Sequence, residues 1–301
     1  MEQYLEEQLH CLCRSVRAAD ERAVEAAKHH WDGIAKPLHG LGRFEDLLTK
    51  VAGIQNTVDI RMDRKAVVVF CADNGVVAEG VTQTDSSVTA VVTENFARGI
   101  ASVNRMASVA GADVIPVDIG VMGEIEEPGV RNCRIANGTN NMRKEPAMSR
   151  EQALEAIHTG IRLASELKDT GYDLLAVGEM GIGNTTTSSA VASVLLQAPV
   201  EIVTGRGAGL SFTGLEKKIE VIKEAIALHH PDPEDPMAVL ESVGGFDIAG
   251  MCGLMLGGAI YRIPVVLDGL ISLMAALLAQ KFCPLVTDFL LPSHMGKDPA
   301  C

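Results

Sequence analysis

The chain has 301 residues, 47% of them hydrophobic and 22% charged, which is enough for about two globular domains and unlike a disordered or fibrous protein. Its 39 acidic residues outnumber its 26 basic residues, giving a formal charge of −13. Because this charge repels phosphate backbones and anionic lipid headgroups, and no basic run occurs, we expect no binding to nucleic acid or to a membrane.

The amino-terminal region is predicted to be helical. Two helical stretches, residues 2–17 and 21–34, precede the first strand. We therefore interpret residues 1–60 as part of a small helical domain and residues 61–301 as the main domain. Three glutamates stand among the first seven residues, where a signal peptide would carry basic residues, so a cytoplasmic location is expected.

Six short runs rich in apolar residues are predicted to form strands. They are residues 66–71, 113–117, 173–177, 200–203, 263–267 and 288–291. Runs that are apolar on both faces and are spaced by helices are typical of a parallel sheet covered on both sides. The sequence thus predicts an α/β fold with a Rossmann-like, mostly parallel sheet of about six strands and helices on both faces.

The intervening stretches are predicted to be helices. One long helix is expected from residue 85 or 86 through 106, one opens at Ser149, and one covers residues 215–228. Residues 248–261 are uncharged, but a membrane-spanning helix needs about 20 residues, so we predict a buried core helix there.

The cysteines and histidines give no metal-binding pattern. The seven cysteines are scattered without a Cys-x-x-Cys pair, and no histidine pair has ligand spacing. We therefore expect reduced thiols, no metal and no cofactor.

Acidic residues follow several of the predicted strands. In an open α/β sheet, ligands bind beyond the carboxyl ends of the strands, and Asp73, Asp118, Glu179 and Asp268 all stand at such positions. They could hold ribose hydroxyls or act as bases. For each residue alone, the alternative is a hydrogen bond within its loop.

The segment Gly178-Glu-Met-Gly-Ile-Gly-Asn-Thr-Thr leads from a predicted strand into a helix. Glycines such as Gly181 and Gly183 permit close approach to a ligand, and free N–H groups at a helix start attract anions, which predicts a phosphate site. Asn184 stands where a nucleoside-triphosphate loop would need lysine, so one phosphate is expected. The alternative is a tight turn with Thr185 as the N-cap.

A second glycine-rich loop contains Gly205, Arg206 and Gly207, and Lys218 lies about one helix further on. Arg206 and Lys218 could supply positive charge to a phosphate or a carboxylate. The alternative is an ordinary surface turn with a solvated arginine.

Several motifs together identify a family resemblance. They include Lys36-Pro37, Leu41-Gly-Arg-Phe-Glu45, Cys71-Ala-Asp-Asn-Gly-Val, Gly178-Glu-Met-Gly-Ile-Gly-Asn-Thr-Thr, Val243-Gly-Gly-Phe-Asp, Leu267-Asp-Gly and Pro292-Ser-His. Over nearly its whole length the chain resembles the nicotinate-nucleotide:dimethylbenzimidazole phosphoribosyltransferases, which make the lower-ligand nucleotide of cobalamin.

The resemblance implies a reaction and a set of binding residues. The donor would be nicotinate mononucleotide, the acceptor an aromatic base such as dimethylbenzimidazole or a related azole, and the products an α-ribotide and nicotinate. The donor-binding residues it implies are Glu179, Gly181, Gly183, Asn184, Thr185, Gly205, Gly207, Lys218 and Asp268. It also implies a dimer, either of identical chains or with a related chain.

The acceptor region departs from the family pattern. The matching acceptor-binding positions are Asp73, Thr84, Asp85 and Val92, where relatives usually have Ser-Pro at the second and third positions and a glutamine at the last. Relatives also have histidine where this chain has Asn74. Val92 lacks the amide that could bind an azole, so an acceptor other than dimethylbenzimidazole is considered.

Alternative functions follow from these departures. One is a subunit of a heteromeric phenol or p-cresol phosphoribosyltransferase. Another is a catalytically silent paralogue, because the resemblance places the general-base glutamate beyond Cys301; Asp85 is considered as a substitute base. A dinucleotide-binding enzyme is disfavoured, since Asp73-Asn-Gly follows the first strand in place of Gly-x-Gly-x-x-Gly.

Overall fold

A computed structural model describes residues 1–301 and contains one six-stranded sheet. The strands are β1 (Lys65–Ala72), β2 (Ala112–Gly120), β3 (Arg131–Asn132), β4 (Leu174–Met180), β5 (Val265–Val266) and β6 (Leu290–Leu291). Their order is β3-β2-β1-β4-β5-β6, and every neighbouring pair is parallel. The predicted Rossmann-like parallel sheet of about six strands is therefore confirmed.

Twelve α-helices surround this sheet. They are α1 (Glu2–Ser15), α2 (Glu21–Gly33), α3 (Arg43–Gln55), α4 (Ser87–Ala97), α5 (Ser102–Ala110), α6 (Arg150–Asp169), α7 (Asn184–Leu195), α8 (Val200–Val203), α9 (Phe212–His229), α10 (Pro236–Val243), α11 (Phe246–Tyr261) and α12 (Leu270–Phe282). Ser149 begins α6 as predicted, and its hydroxyl accepts a hydrogen bond from the backbone N–H of Gln152.

One strand prediction is wrong. Residues 200–203 form the single-turn helix α8, which begins after Pro199. Val200 and Val203 are buried, whereas Glu201 and Ile202 between them are exposed. This spacing of three fits one face of a helix, whereas a strand within a covered sheet would bury consecutive residues.

Other element boundaries also differ from the predictions. The single helix expected over residues 85–106 is two helices, α4 and α5, because Gly99 between them adopts a φ of +74° that ends the first helix. In the run at 288–291, only Leu290 and Leu291 belong to a strand, since a 3₁₀ helix covers Pro284–Phe289. Helices α3, α10 and α12 and the two-residue strand β3 were not predicted.

Helix α11 lies at the centre of the core, as predicted for the uncharged segment 248–261. It packs against β1, β2, β4 and α6, and almost all of its residues are buried. Its glycines permit close contact: a Cβ on Gly253 would lie 2.0 Å from the carbonyl oxygen of Ile157, and one on Gly250 would lie 2.6 Å from the Phe70 ring. The helix backbone therefore approaches both α6 and the sheet directly.

The amino-terminal helices share the core of the sheet domain. Leu9, Val16, Val51 and Ile54 belong to the same cluster of buried apolar side chains as the strands. The division into a small helical domain and a main domain stays a prediction. None of the helices is both long enough and apolar enough to serve as a bilayer span.

Candidate functional site

A cavity lies at the carboxyl end of β4, beside the central strand β1. The chain passes from β1 to β2 on one side, and β4 lies on the other side, so the loops diverge at this edge of the sheet as in other open α/β sheets. The cavity has a volume of about 260 Å³. Three segments line it, within residues 81–84, 179–185 and 206–210.

In the loop between β4 and α7, two positions require glycine because of the surrounding backbone and of their own conformation. A Cβ on Gly181 would lie 2.3 Å from the carbonyl oxygen of Ala72, and Gly183 has a φ of +94°. Gly183 is the N-cap of α7, so the alternative that Thr185 caps this helix is wrong. The backbone N–H groups of Gly183 and Thr185 have no acceptor within the protein and are free to bind an anion.

Lys218 is buried behind Thr185 at this helix end and does not itself line the cavity. Its side chain is 1% exposed, and its Nζ donates to Thr185 Oγ1 at 2.9 Å and to the carbonyl oxygen of Gly205 at 3.2 Å. It forms no salt bridge, and burial lowers its pKa to about 8 despite the opposing charge of Asp298. A buried cation without a paired carboxylate is costly, and it marks a place where an anion would be stabilised.

The second glycine loop closes the cavity from the other side. Gly207 has a φ of +52°, and a Cβ there would lie 2.8 Å from Thr185 Oγ1. Gln83 Nε2 donates to the carbonyl oxygen of Gly209 at 2.6 Å, which ties this loop to the segment containing Thr84. The predicted second loop thus meets the first one at Thr185.

Glu179 lies at the cavity wall and shares an amide with a second carboxylate. Asn184 Nδ2 donates both to Glu179 Oε2 and, at 3.0 Å, to Asp247 Oδ2. Burial raises the pKa of Glu179, and the charge of Asp247 raises it further. Burial likewise raises the pKa of Asp247, which is wholly buried in the first turn of α11.

Asp268 lies in a neighbouring groove. It is exposed, and together with Glu179 it lines an apolar groove of about 750 Å³ along β1, β4 and β5. Glu179 is the residue of this pair that reaches both the groove and the cavity.

Asp73 and Asp118, the other two strand-end acids, are directed into the protein. Asp73 is fully buried and accepts from Thr89 Oγ1 at 2.6 Å and from the Met122 N–H at 2.8 Å. Asp118 pairs with Arg134 at 2.8 Å. Both carboxylates therefore connect loops at the strand ends and do not line the cavity, which is the alternative that sequence reasoning left open.

The predicted acceptor residues are only partly brought together. Thr84 lines the cavity, but Asp85 and Val92 do not. The Asp85 carboxylate accepts from the hydroxyl and the backbone N–H of Ser87, which lowers its pKa and makes it a poor base. Val92 packs on the apolar cluster around Phe96. No group of three histidine, cysteine, aspartate or glutamate side chains has an arrangement that could hold a metal ion.

Comparison with known proteins identifies the family. The family described as "Phosphoribosyltransferase" matches residues 16–301. A nicotinate-nucleotide–dimethylbenzimidazole phosphoribosyltransferase of Clostridium acetobutylicum is 48% identical over 288 residues, which are 96% of this chain and 82% of that protein. The chain belongs to this family.

Other members of the family agree in sequence and in fold. The enzyme of the same name from Ruminiclostridium cellulolyticum is 47% identical over 95% of this chain and 81% of its own length. The crystal structure of CobT from Thermus thermophilus is similar with a TM-score of 0.88 and 38% identity, over 93% of this chain and 84% of that one. The resemblance inferred from the motifs is thus confirmed.

Asp247 is the site residue that sequence reasoning missed. It ends the motif Val243-Gly-Gly-Phe-Asp, which contributed to the family resemblance but carried no predicted role. The motif itself was the available signal, because an aspartate in the first turn of an otherwise apolar buried helix needs a polar partner.

Proposed function

We propose that this member of the family transfers the phosphoribosyl group of nicotinate mononucleotide to an aromatic base, and that the donor binds in the cavity at the end of β4. The products would be nicotinate, the proton that the acceptor's ring nitrogen loses, and an α-ribotide, which serves as the lower-ligand nucleotide of a cobamide. The observation that carries the donor site is Lys218, a buried ammonium without a salt bridge next to free N–H groups at the start of α7.

The phosphate of the donor fits this end of the cavity chemically. An anion is favoured here by the N–H groups of Gly183 and Thr185 and by the positive end of the α7 dipole. The positive charge of Lys218, behind Thr185, adds to this attraction. Gly183 lines the cavity, and without a Cβ its backbone can approach the phosphate closely. One phosphate, rather than a polyphosphate, matches the single lysine.

The ribose and its reacting carbon would then lie toward Glu179. The donor's ring nitrogen is a pyridinium, so nicotinate leaves with an uncharged ring nitrogen and requires no general acid. Positive charge develops at C1 of the ribose as the bond breaks, and the Glu179 carboxylate could bind a ribose hydroxyl or stabilise that charge. Attack from the opposite face gives the α configuration.

The identity of the acceptor is a separate proposal. Thr84 is the predicted acceptor residue that lines the cavity, and it could hydrogen-bond an azole nitrogen through its hydroxyl. A benzimidazole or a related azole is therefore proposed, as the names of the relatives suggest.

Turnover with a panel of acceptors tests this function. The purified chain is incubated with nicotinate mononucleotide and either azoles or phenols, and we expect released nicotinate and an α-ribotide with a benzimidazole. Turnover with phenols alone would favour the heteromeric alternative, tested by adding a related chain. Donor binding with no turnover on any acceptor would favour a silent paralogue.

Replacing Glu179 with glutamine tests its contact with the donor. We expect Glu179→Gln to weaken nicotinate mononucleotide binding by about 10-fold, because a hydrogen bond to a charged group contributes about 1.5 kcal/mol or more. Calorimetric titration measures the affinity, and Glu155→Gln on α6 is a control outside the cavity. Unchanged affinity of Glu179→Gln would remove this carboxylate from the donor site.

We further propose that the chain forms a dimer, with a second copy or with a related chain. Leu38, Leu41 and Phe44 are exposed apolar residues in the short segment that leads from α2 into the first turn of α3. Several exposed apolar residues this close together in the chain are typical of an interface, which supports the proposal. Sedimentation equilibrium measures the mass of the assembly.

A further inference from the structure

The carboxylate of Asp247 is buried without a cation to balance it. The residue is 0% exposed, forms no salt bridge, and has one side-chain donor, the amide of Asn184. Its Oδ1 accepts from the adjacent N–H of Ile248 in the first turn of α11, where the helix dipole gives partial compensation. A charged carboxylate in this position costs free energy, so a proton on it would be stabilising.

The same amide also holds Glu179, the wall of the cavity. Because Nδ2 of Asn184 donates to a carboxylate on each side, the orientation of the Asn184 side chain is fixed by Asp247 and in turn fixes Glu179 Oε2. Gly181 makes this possible, since a Cβ there would lie 3.1 Å from Asp247 Oδ2 and 3.3 Å from Asn184 Nδ2. Asp247 does not line the cavity, but it is hydrogen-bonded to Asn184, which does.

A second observation indicates where a proton would reside. Asn74 Oδ1 is buried and has no hydrogen-bond donor. A Cβ on Gly245 would lie 2.8 Å from this oxygen and 2.5 Å from Asp247 Oδ1, so both oxygens border the space beside Gly245. An O–H on Asp247 could donate to Asn74 Oδ1, and this bond would satisfy the unpaired acceptor.

We propose that Asp247 is a positioning residue for phosphoribosyl transfer: with a proton on Oδ1 shared with Asn74, it holds the Asn184 amide so that Glu179 remains the charged carboxylate facing the donor. This inference rests on the donor site proposed above. Two further acids lie near the pair: the charge of Asp73, at the end of β1, raises the pKa of Asp247, and the charge of Asp268, after β5, raises the pKa of Glu179. A proton on Asp247 removes the closest like charge.

Two substitutions at Asp247 separate positioning from mere filling of space. Asp247→Asn retains two contacts of the protonated acid, since its amide can donate to Asn74 while its oxygen accepts from Asn184; only the contact with the Ile248 N–H is lost. Asp247→Ala removes both contacts. We expect Asp247→Ala to weaken nicotinate mononucleotide binding about 10-fold more than Asp247→Asn does, as measured by calorimetric titration. Equal losses in the two variants would overturn the proposal.

The titration of Glu179 tests the proton's position without any ligand. In protein labelled with ¹³C at the carboxyl groups, the Glu179 signal is assigned by its loss in Glu179→Gln and followed against pH. We expect its midpoint to be nearly the same in the parent and in Asp247→Asn, because Asp247 is already neutral. A marked fall of the midpoint in Asp247→Asn would show that Asp247 carries the charge, and would overturn the proposal.

The two measurements keep this inference distinct from the proposed function. If the parent protein does not bind nicotinate mononucleotide, the donor site is wrong, whereas the carboxyl titration still decides which acid holds the proton. If Asp247→Ala fails to fold, the titration of Asp247→Asn is unaffected.

Discussion

Replacing Lys218 with methionine is expected to weaken nicotinate mononucleotide binding by about 100-fold while leaving the fold at least as stable as before. The affinity falls because the phosphate loses the attraction of the ammonium behind Thr185, and one hydrogen bond to a charged group contributes about 1.5 to 3 kcal/mol. The stability does not fall, because methionine avoids the cost of desolvating a buried charge that has no salt bridge, and this gain offsets the loss of the hydrogen bonds to Thr185 and Gly205. Binding is measured by calorimetry and stability by urea unfolding.

The control for this variant lies on the same helix. Lys223 is exposed on α9 and pairs with Glu201, so Lys223→Met is expected to leave donor affinity unchanged. If Lys218→Met binds the donor as well as the parent does, or if it loses several kcal/mol of unfolding free energy, Lys218 is a structural residue and the phosphate lies elsewhere.

The pH dependence of stability and of binding provides a further signature of Lys218. Its pKa in the folded protein is lowered to about 8, and the ordinary value for lysine is about 10.4, so between these values the unfolded chain binds more protons. Stability should therefore rise with pH through this window in the parent and not in Lys218→Met. Donor affinity should fall above about pH 8, as the ammonium charge needed by the phosphate is lost.

Replacing Gly253 with alanine is expected to lower the unfolding free energy by about 3 kcal/mol. The new Cβ would lie 2.0 Å from the carbonyl oxygen and 2.7 Å from the carbonyl carbon of Ile157, so helices α6 and α11 must separate. Overpacking a core in this way costs about 1 to 3 kcal/mol, and the upper value applies because the clash is with backbone. A fall in Tm of about 6 °C or more is expected.

A second glycine provides the matched control. Gly33 ends α2 on the surface, and a Cβ there would meet nothing within 4 Å. Gly33→Ala should therefore be neutral or slightly stabilising, as the helix propensity of alanine predicts. If Gly253→Ala were equally neutral, the close approach of α6 and α11 would not exist in solution.

The parts of the fold that local patterning controls were predicted correctly. Strands β1, β2 and β4 are long apolar runs, and helix α6 has its own N-cap, so their residues specify these elements without distant partners. The errors fall on short segments. Residues 200–203 have valines that suit a strand, yet Pro199 and the packing between α7 and α9 select one helical turn.

The residues of the candidate site also fall into two groups, those that a local pattern predicts and those that only packing places. Gly181, Gly183 and Asn184 were found from the sequence because the constraint on them is local: a strand must turn into a helix whose N–H groups stay open. Asp73 and Glu179 both follow a strand and looked equivalent. Packing alone directs Asp73 inward to Thr89 and Glu179 to the cavity wall.

The amino-acid sequence by itself determined the parallel sheet, the family, the glycine-rich turn before α7 and the placement of the candidate site at the strand ends. The tertiary structure decided which side chains share that site. Thr185 meets Lys218 across 33 residues, and Asn184 meets Asp247 across 63. Burial, charge and the pairing of polar groups depend on such contacts between distant segments, and no local pattern in the chain encodes them.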